Sequence, residues 1–573
     1  MNTIHSSAHA APGDAVPPAD AVSSLSTPNP NARMPTGIPF IVVNEFAERF
    51  CFYGINAMLA LFLVQYLQFG EARATTWGSL FKSGAYFFPI LGAIASDVFW
   101  GKFRTVLTFS LVYVVGCVFL AIATDAHSLA IGLFLVAFGT GGIKPCVATN
   151  LGDQFTTANQ HLIERAFSWF YLSINAGSTI SILLCPWLLP KYGPKVAFGV
   201  PAAMMFVATI VFWSGRRKFA VVPPAGKVWL KDVFGPVGLK TITNLMVVYI
   251  FIAFFWALWD QSNGTSWSLQ ARSSLMDKNL GFGITLLPAQ IQAVNAVFIL
   301  ILAPFFSYVV YPAWGKFFAV TPLRKIAVGL FVTASSFLVI AYIESRIQSG
   351  HVISVWWQIL AYAILTAGEV LVSITGLEFA YTQAPLTMKS LIMALFYLAV
   401  SIGNLFTAAV NSYMVRPLTA SSMEVGRETW LHLANAASFV EGQKIDFDGK
   451  TGVYVRTAAA GGEPAGSATT SERAAPAGSP AAGTEPLAGT YLVGSVDTAN
   501  SRLRLLNAET RSPLVTTGTF DIQHASVSTY ALVGPAYFIF FAEVMAAGAV
   551  LFLLVVYFYR EKTYVRTTAT TTT

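Results

Sequence analysis

Three ionisable residues lie close together in an otherwise apolar run from Ile38 to Leu67. Glu45, Glu48 and Arg49 stand at positions i, i+3 and i+4, so on a helix their side chains share one face. Charge inside a membrane span costs about 2.5 to 3.5 kcal/mol per residue, so such residues need a partner or a wet cavity. Two carboxylates compete here for one guanidinium, and one glutamate should therefore bind a proton readily. The spacing predicts a proton-binding site, and a purely structural triad is the less favoured alternative.

Further charges lie in other apolar runs and divide by sign between the two halves of the chain. Lys144 in GTGGIKPCVATN joins Arg49 in the first half, whereas Asp260 in FFWALWDQSNG and Glu369 in ILTAGEVLVSITG lie in the second. If the halves face each other, one wall of the cavity between them is cationic and the other anionic. The charged ends of an extended di- or tripeptide are about 5 to 10 Å apart and would complement both walls. A large amino acid fits this pattern less well.

Mid-span polar and aromatic residues could complete such a site. Asn175 in WFYLSINAGS and Asn295 in IQAVNAVFI could bind the amides of a peptide backbone. Walls that tolerate varied side chains could come from Tyr53, Tyr86, Tyr171 and Trp256.

Structural interpretations compete with these functional ones. An isolated Asn or Tyr in a span more often joins two helices, which is the favoured interpretation for Asn295, Tyr86 and Tyr171 taken alone. For Asp260, a salt bridge that gates the cavity is as well supported as contact with a substrate. Lys82 and Glu378 are predicted near span ends, where long side chains can reach the membrane surface.

Composition indicates a membrane protein with many spans. Of the 573 residues, 55% are hydrophobic and only 11% charged, and the mean hydropathy is +0.60. A soluble protein of this size needs more charge on its surface. Twelve helices of spanning length are predicted, near 37–67, 77–100, 104–123, 128–151, 165–190, 196–215, 243–268, 287–312, 324–344, 354–382, 388–414 and 531–559.

The distribution of basic residues predicts the orientation of the chain in the membrane. It also argues that the net charge of +7 does not indicate a nucleic-acid partner. They gather in a few loops and after the last span: Lys102 and Arg104; Arg216, Arg217, Lys218, Lys227, Lys231 and Lys240; Lys316, Arg324 and Lys325; Arg560, Lys562 and Arg566. The positive-inside rule places these loops in the cytoplasm. Both termini are then cytoplasmic, and the expected location is a plasma membrane, such as a bacterial inner membrane.

The predicted organisation is two six-helix bundles with one large insert. A disordered tail (1–36) precedes the first bundle (37–215), a cytoplasmic linker (216–242), helices 7–11 (243–414), an extracytoplasmic insert (415–530), helix 12 (531–560) and a short tail (561–573). The insert contains a low-complexity middle, Ala458 to Ala488, flanked by stretches that alternate apolar and polar residues. It is predicted to be either a small β-rich module or a disordered loop.

The motifs that carry these residues resemble the proton-dependent oligopeptide transporter family of the major facilitator superfamily. NEFAERFCFYG is similar to the helix 1 signature E-x-x-E-R-F-x-Y-Y-G, except that Phe52 replaces the first tyrosine. The segments GGIKPCV, FYLSINAGS, FWALWDQSNG and GEVLVSITGLEFAYTQAP follow in the family's order. Many bacterial members have two extra helices between the bundles, and this linker is too short and polar for them.

The resemblance implies roles for the site residues. Arg49 and Lys144 would receive the carboxylate of a peptide, and Glu369 its amino terminus. Asn175 and Asn295 would hold the backbone. The resemblance also implies that Glu45 and Glu48 take part in proton coupling, with Asp260 at the extracellular-side gate.

The predicted function is symport of protons with di- and tripeptides by a membrane-embedded monomer, without a cofactor. The sequence contains no Walker-type glycine loop and no His or Cys cluster with metal-ligand spacing, which argues against an enzyme. One alternative is a carrier of the same fold for nitrate, amino acids or peptide-like drugs. Another is a membrane receptor that uses the insert as its ligand-binding module.

Overall fold

The computed structural model describes residues 33–155, 159, 162–220, 224, 233–281, 283–377, 379, 389–456 and 484–559. Residues 1–32 of the predicted tail, residues 221–223 and 225–232 of the linker, Glu378, nearly all of the low-complexity middle of the insert and the last 14 residues lie outside this range. Within the described residues, 11 helices are long and apolar enough to cross a membrane.

The helices that form the two bundles are numbered here in chain order. They are α1 Ile38–Gln65, α2 Glu71–Phe87, α3 Lys102–Ile122, α4 Ala126–Asp153, α5 Ile163–Tyr192, α6 Pro194–Ser214, α7 Pro236–Ser262, α8 Ala293–Phe305, α9 Pro322–Gln348, α10 Trp356–Glu369, α11 Lys389–Met414 and α12 Pro535–Phe558. Three of them continue after an irregular turn: α2 through Pro89–Ile94 and Ala95–Trp100, α8 through Phe306–Val310 and Tyr311–Gly315, and α10 through Val370–Ile374. Because α2 is interrupted before Pro89, which lacks a backbone N–H, no single helix of spanning length is found there.

Two predicted helix limits differ from the structure by about two turns. Helix α2 begins at Glu71, six residues before the predicted limit of 77, and α7 begins at Pro236 instead of 243. Both helices start after a glycine with two turns that are partly polar, EARATTWG in α2 and PVGLKTIT in α7, and α7 has proline at its first position. Limits drawn from hydropathy miss such turns. The predicted end of α7 was also too late, because Gly264, with φ of +80°, separates α7 from the short helix Ser266–Gln270.

The close approach of α1 and α5 depends on glycine and positions the ionisable cluster of α1. A Cβ on Gly177 would lie 2.5 Å from the backbone oxygen of Phe46, and one on Gly54 would lie 2.7 Å from Cys185 Sγ. The two helices therefore pack backbone to backbone on both sides of Arg49. The four cysteines of the chain are all free and buried.

The two bundles are in contact at the end of the molecule where the insert joins α11 to α12, which we call the insert end. From that end toward the membrane centre, α2 of the first bundle packs against α11 of the second. Ser83 Oγ lies 3.0 Å from Ser401 Oγ, and the Tyr86 and Tyr397 rings are 6.0 Å apart. Asn56 of α1 donates a hydrogen bond of 3.0 Å to the backbone oxygen of Asn263, just after α7.

The insert folds into β-sheet. Its strands are β1 Val415–Leu418, β2 Ala420–Glu424, β3 Thr429–Leu433, β4 Lys444–Asp448, β5 Val453–Arg456, β6 Thr484–Pro486, β7 Ala488–Asp497, β8 Arg502–Asn507, β9 Thr516–Gly518 and β10 Val527–Tyr530. Seven form one antiparallel sheet in the order β1-β10-β4-β7-β8-β3-β2, and β6-β5-β9 form a second. Alternate residues such as Leu431, Leu503 and Leu505 form a buried core of the module. Of the two predicted states of the insert, the described strands correspond to the β-rich module.

Candidate functional site

The ionisable cluster of α1 is a compact, buried group. Arg49 Nε lies 2.7 Å from Glu45 Oε1 and 3.1 Å from Glu48 Oε2. Thr140 of α4 donates a short hydrogen bond to the other oxygen of Glu48. The two carboxylates are almost fully buried, whereas the Arg49 side chain is 13% exposed. One guanidinium is thus shared by two carboxylates, and the guanidinium is the member of the group that other molecules can reach.

Lys144 of α4 is buried nearby without a carboxylate in direct contact. Its Nζ lies 3.8 Å from the centre of the Phe52 ring and 4.0 Å from that of Tyr86. Within the described part of the chain, this ammonium has no hydrogen-bond partner. Ring faces attract a cation but leave its three N–H donors unused. Lys144 is therefore positioned to bind an anionic group that enters the site.

Glu369 of α10 is the centre of the acidic wall. Its Oε2 accepts hydrogen bonds of 2.8 Å from Asn295 Nδ2 of α8 and of 2.8 Å from Trp259 Nε1 of α7. The Asn295 amide also donates to Thr366 Oγ1 at 2.9 Å. In this structure Asn295 thus orients the carboxylate. Trp259 was not singled out from the sequence, where it is one of two tryptophans in FFWALWDQSNG.

Tyrosines lie between the two walls. Tyr53 is within electrostatic range of both Arg49 and Glu369, and it packs in a small apolar cluster with residues of α5 and α8. Tyr397 of α11 is within range of Arg49 and its two glutamates. The structure thus joins Tyr53 and Tyr86 to the site and adds Tyr397, which no motif had indicated.

The hydrogen bond that the structure gives for the Asn175 side chain is within its own helix and not with any of the charged residues predicted for the site. Its Nδ2 donates 2.9 Å to the backbone oxygen of Tyr171, four residues earlier in α5. The ring of Tyr171 is 55% exposed. Nothing in the geometry of this state assigns either residue to the charged site.

A buried ion pair between α2 and α7 connects the two bundles. Lys82 Nζ lies 3.6 Å from Asp260 Oδ1 and donates to the backbone oxygens of Asp260 and Asn263. Asn404 of α11 donates a short hydrogen bond to the same carboxylate. The prediction that Lys82 only reaches the membrane surface is wrong, since its side chain is 1% exposed. Because α2 starts at Glu71, Lys82 lies about three turns inside the helix and not near its end.

The described residues contain no group of three or more His, Cys, Asp or Glu side chains that could hold a metal ion. The fold and site together define a polytopic membrane protein whose two helical bundles enclose residues of opposite charge. Its family follows from comparison with known proteins.

The chain belongs to the POT family, whose model, PTR2, matches residues 103–237 and 236–431. Solute carrier family 15 member 2 of Mus musculus is 36% identical over 387 residues, which are 59% of this chain and 52% of that protein. The chain therefore spans about half the length of the curated relatives it matches.

Solved structures match a larger share of the chain. The crystal structure of the POT family transporter PepTSo is similar with a TM-score of 0.61 and 35% identity, over 67% of this chain and 90% of that one. A crystal structure of a proton dependent oligopeptide (POT) family transporter gives a TM-score of 0.57 and 36% identity, over 65% and 91%. The fold is accordingly the 12-helix fold of the major facilitator superfamily.

Proposed function

We propose that this protein is a proton-coupled symporter that imports di- and tripeptides by alternating access. The observation that carries the proposal is that two groups of opposite charge, one on each bundle, both lie near Tyr53. On one side two buried carboxylates hold Arg49, and on the other two hydrogen bonds of 2.8 Å orient Glu369. A zwitterionic peptide complements both. A similar solved structure is that of a proton dependent oligopeptide transporter, which supports the substrate class.

Proton coupling follows from competition for one guanidinium. Protonating Glu45 or Glu48 removes a negative charge from Arg49, and the carboxylate of a peptide then takes its place. Lys144 adds a second cation that no carboxylate contacts directly. Glu369 receives the amino terminus. A proton that moves down 100 mV gains about 2.3 kcal/mol, close to a fiftyfold accumulation per charge.

The state described here is closed at the insert end by the contact of Lys82 with Asp260. We assign that end to the outside of a plasma membrane, which in a bacterium is the inner membrane, with both chain termini in the cytoplasm. Import then requires this contact to open and re-form in each cycle. The protein acts as a carrier and not as an enzyme, works as a monomer and needs no cofactor.

Uptake of labelled dialanine into proteoliposomes tests the proposal. An inward proton gradient should raise the accumulated peptide several-fold over the level reached without a gradient, and a protonophore should abolish the difference. Unlabelled nitrate or a free amino acid should not compete, because neither presents a carboxylate and an ammonium at the spacing of a peptide. If nitrate or an amino acid competes better than dialanine, the substrate class is wrong.

A receptor function would depend on the insert and not on the cavity. Deleting residues 458–483, which leaves every described strand in place, should leave peptide uptake intact in a carrier. A receptor that uses the insert should lose its response. Loss of a ligand-dependent response, in a protein that shows no uptake, would favour the receptor.

Phe52 stands where the family motif has a tyrosine, and its ring supports Lys144. In Phe52→Leu, we expect the dissociation constant of dialanine to rise about two- to thirtyfold, because a cation–π contact contributes from about 0.5 kcal/mol when exposed to about 2 kcal/mol when desolvated. Phe52→Tyr should keep the affinity. The matched control is Phe81→Leu, which alters a ring stacked on Phe52 at 5.8 Å with no cation over it. Equal losses in both leucine variants, measured by peptide binding, would show that packing alone is responsible.

A further inference from the structure

One face of the insert sheet contacts the start of α2. Lys444 Nζ of β4 lies 2.6 Å from Glu71 Oε2. Thr490 Oγ1 of β7 accepts a hydrogen bond of 3.0 Å from the backbone N–H of Glu71, and the Tyr530 hydroxyl of β10 accepts one of 3.4 Å from that of Ala72. The first N–H groups of a helix have no partner within it. The insert therefore caps a helix of the opposite bundle.

Behind these contacts, Asp446 of β4 fits closely against the residue that precedes α2. Its carboxylate accepts hydrogen bonds from Thr490 and Tyr530. A Cβ on Gly70 would lie 1.8 Å from Asp446 Oδ2, so only glycine permits this approach. Gly70 has φ of −61° and ψ of 150°, which any residue can adopt. The glycine is thus required by the contact with the insert and not by its own backbone.

The insert is also fixed to the second bundle. It continues directly from α11 and into α12. Arg511 Nη1 donates 2.8 Å to the backbone oxygen of Ile347 at the end of α9, and Arg272, after α7, lies 3.2 Å from Glu509. Lys444 itself lies 3.8 Å from Glu344 of α9. The sheet module is therefore attached to the second bundle and reaches across to the first.

We propose that Lys444, Asp446, Thr490 and Tyr530 form a docking surface for the start of α2, and that docking holds the two bundles together at the insert end. Because Glu71 belongs to the first bundle, opening that end must separate Lys444 from it. The insert thus stabilises the state that is closed at the insert end and lowers the population of the outward-open state. The consequence for transport rests on the proposed function, whereas the docking itself does not.

The docking surface should respond to pH through Asp446. Burial raises the pKa of its carboxyl from the ordinary 3.8 to about 6, while Thr490, Tyr530 and Lys444 oppose the rise and Glu71 adds to it. Undocking exposes the carboxyl, so the docked state holds more protons between about pH 4 and 6. Docking should then strengthen as pH falls through this window and weaken as pH rises through it. Asp446→Asn should remove this pH dependence.

Electron-paramagnetic distance measurements test the proposal in the full chain in lipid nanodiscs without substrate. Spin labels at Thr124→Cys in the first bundle and His351→Cys in the second report separation at the insert end, since both positions are exposed and the native cysteines are buried. In Gly70→Ala, the population with the longer distance should rise on the order of tenfold, because the new methyl group clashes only in the docked state. Gly199→Ala in α6 is the matched control, since nothing lies within 4 Å of its Cβ.

A double-mutant cycle with Lys444→Met and Glu71→Gln gives an independent measurement should Gly70→Ala fail to fold. Each single variant should raise the open population several-fold, and the double variant should add little to either. The control is Arg502→Met, which removes a cation from the Asp497 and Glu424 pairs of the same module, away from α2. An unchanged distance distribution in Gly70→Ala, or in both Lys444→Met and Glu71→Gln, would overturn the docking proposal. Wild-type peptide uptake is measured separately, so failure of the transport proposal would be recognised on its own.

Discussion

Gradient-driven uptake of dialanine should fall at least about a hundredfold in Glu48→Gln, while exchange of labelled for unlabelled peptide persists. Glutamine keeps the shape of the side chain and an oxygen for the Thr140 hydroxyl, but it cannot take up and release a proton beside Arg49. Removing the titrating group should uncouple movement of the peptide from movement of the proton. Glu45→Gln should act in the same direction, because its carboxylate binds the same nitrogen at 2.7 Å.

Glu543→Gln provides the matched control for this first prediction. Glu543 lies within α12 and is exposed, away from the cluster of α1. Its substitution should leave both uptake and exchange within about twofold of wild type. If Glu45→Gln and Glu48→Gln both retain full gradient-driven uptake in proteoliposomes, the glutamates of α1 do not couple the proton.

Lys82→Met should produce a comparable loss of uptake for a different reason. The substitution leaves the Asp260 carboxylate buried without its cation, and breaking such a pair costs about 3 to 5 kcal/mol. Since the pair joins α2 to α7, the cost falls on the state closed at the insert end. We expect uptake to drop about a hundredfold and the open population at that end to rise, measured by transport and by the label pair at Thr124 and His351.

The double variant Lys82→Met with Asp260→Asn separates charge from packing. It removes the unpaired carboxylate, so the closed state should recover most of its population even if transport stays slow. Lys191→Met, at an exposed position near the end of α5, is the control for loss of a cation. A Lys82→Met protein with wild-type uptake and an unchanged distance distribution would show that the ion pair does not govern closure.

The sequence predicted the helical bundles and the clustering of charged side chains on α1, because both depend on local patterns. Long apolar runs set the number of spans, and a spacing of three and four residues puts Glu45, Glu48 and Arg49 on one face of a helix wherever that helix packs. The opposite signs of the buried charges in the two halves of the chain likewise predicted that Glu369 belongs to an acidic wall. Such patterns do not depend on knowing which helices are neighbours.

The contacts across the bundles could not be predicted in this way. The pairing of Lys82 with Asp260 joins residues 178 positions apart, and the predicted start of α2 at residue 77 places Lys82 too near the end of its span for such a contact. Trp259 and Tyr397 join the site through the rotation of α7 and α11, which hydropathy does not determine. The contact of Lys444 with Glu71 likewise depends on where the sheet module sits on the helices.

Calorimetry of dialanine binding in buffers of different ionisation enthalpy tests the central claim most directly. If protonation of a glutamate of α1 releases Arg49 to the peptide carboxylate, binding at pH 7.5 must take up close to one proton. The affinity must then rise about tenfold for each unit by which the pH is lowered, until the cluster is protonated. Glu48→Gln should reduce that proton uptake toward zero. If binding takes up no proton and the affinity for dialanine stays the same from pH 5.5 to 8, the glutamates of α1 do not exchange Arg49 with the peptide.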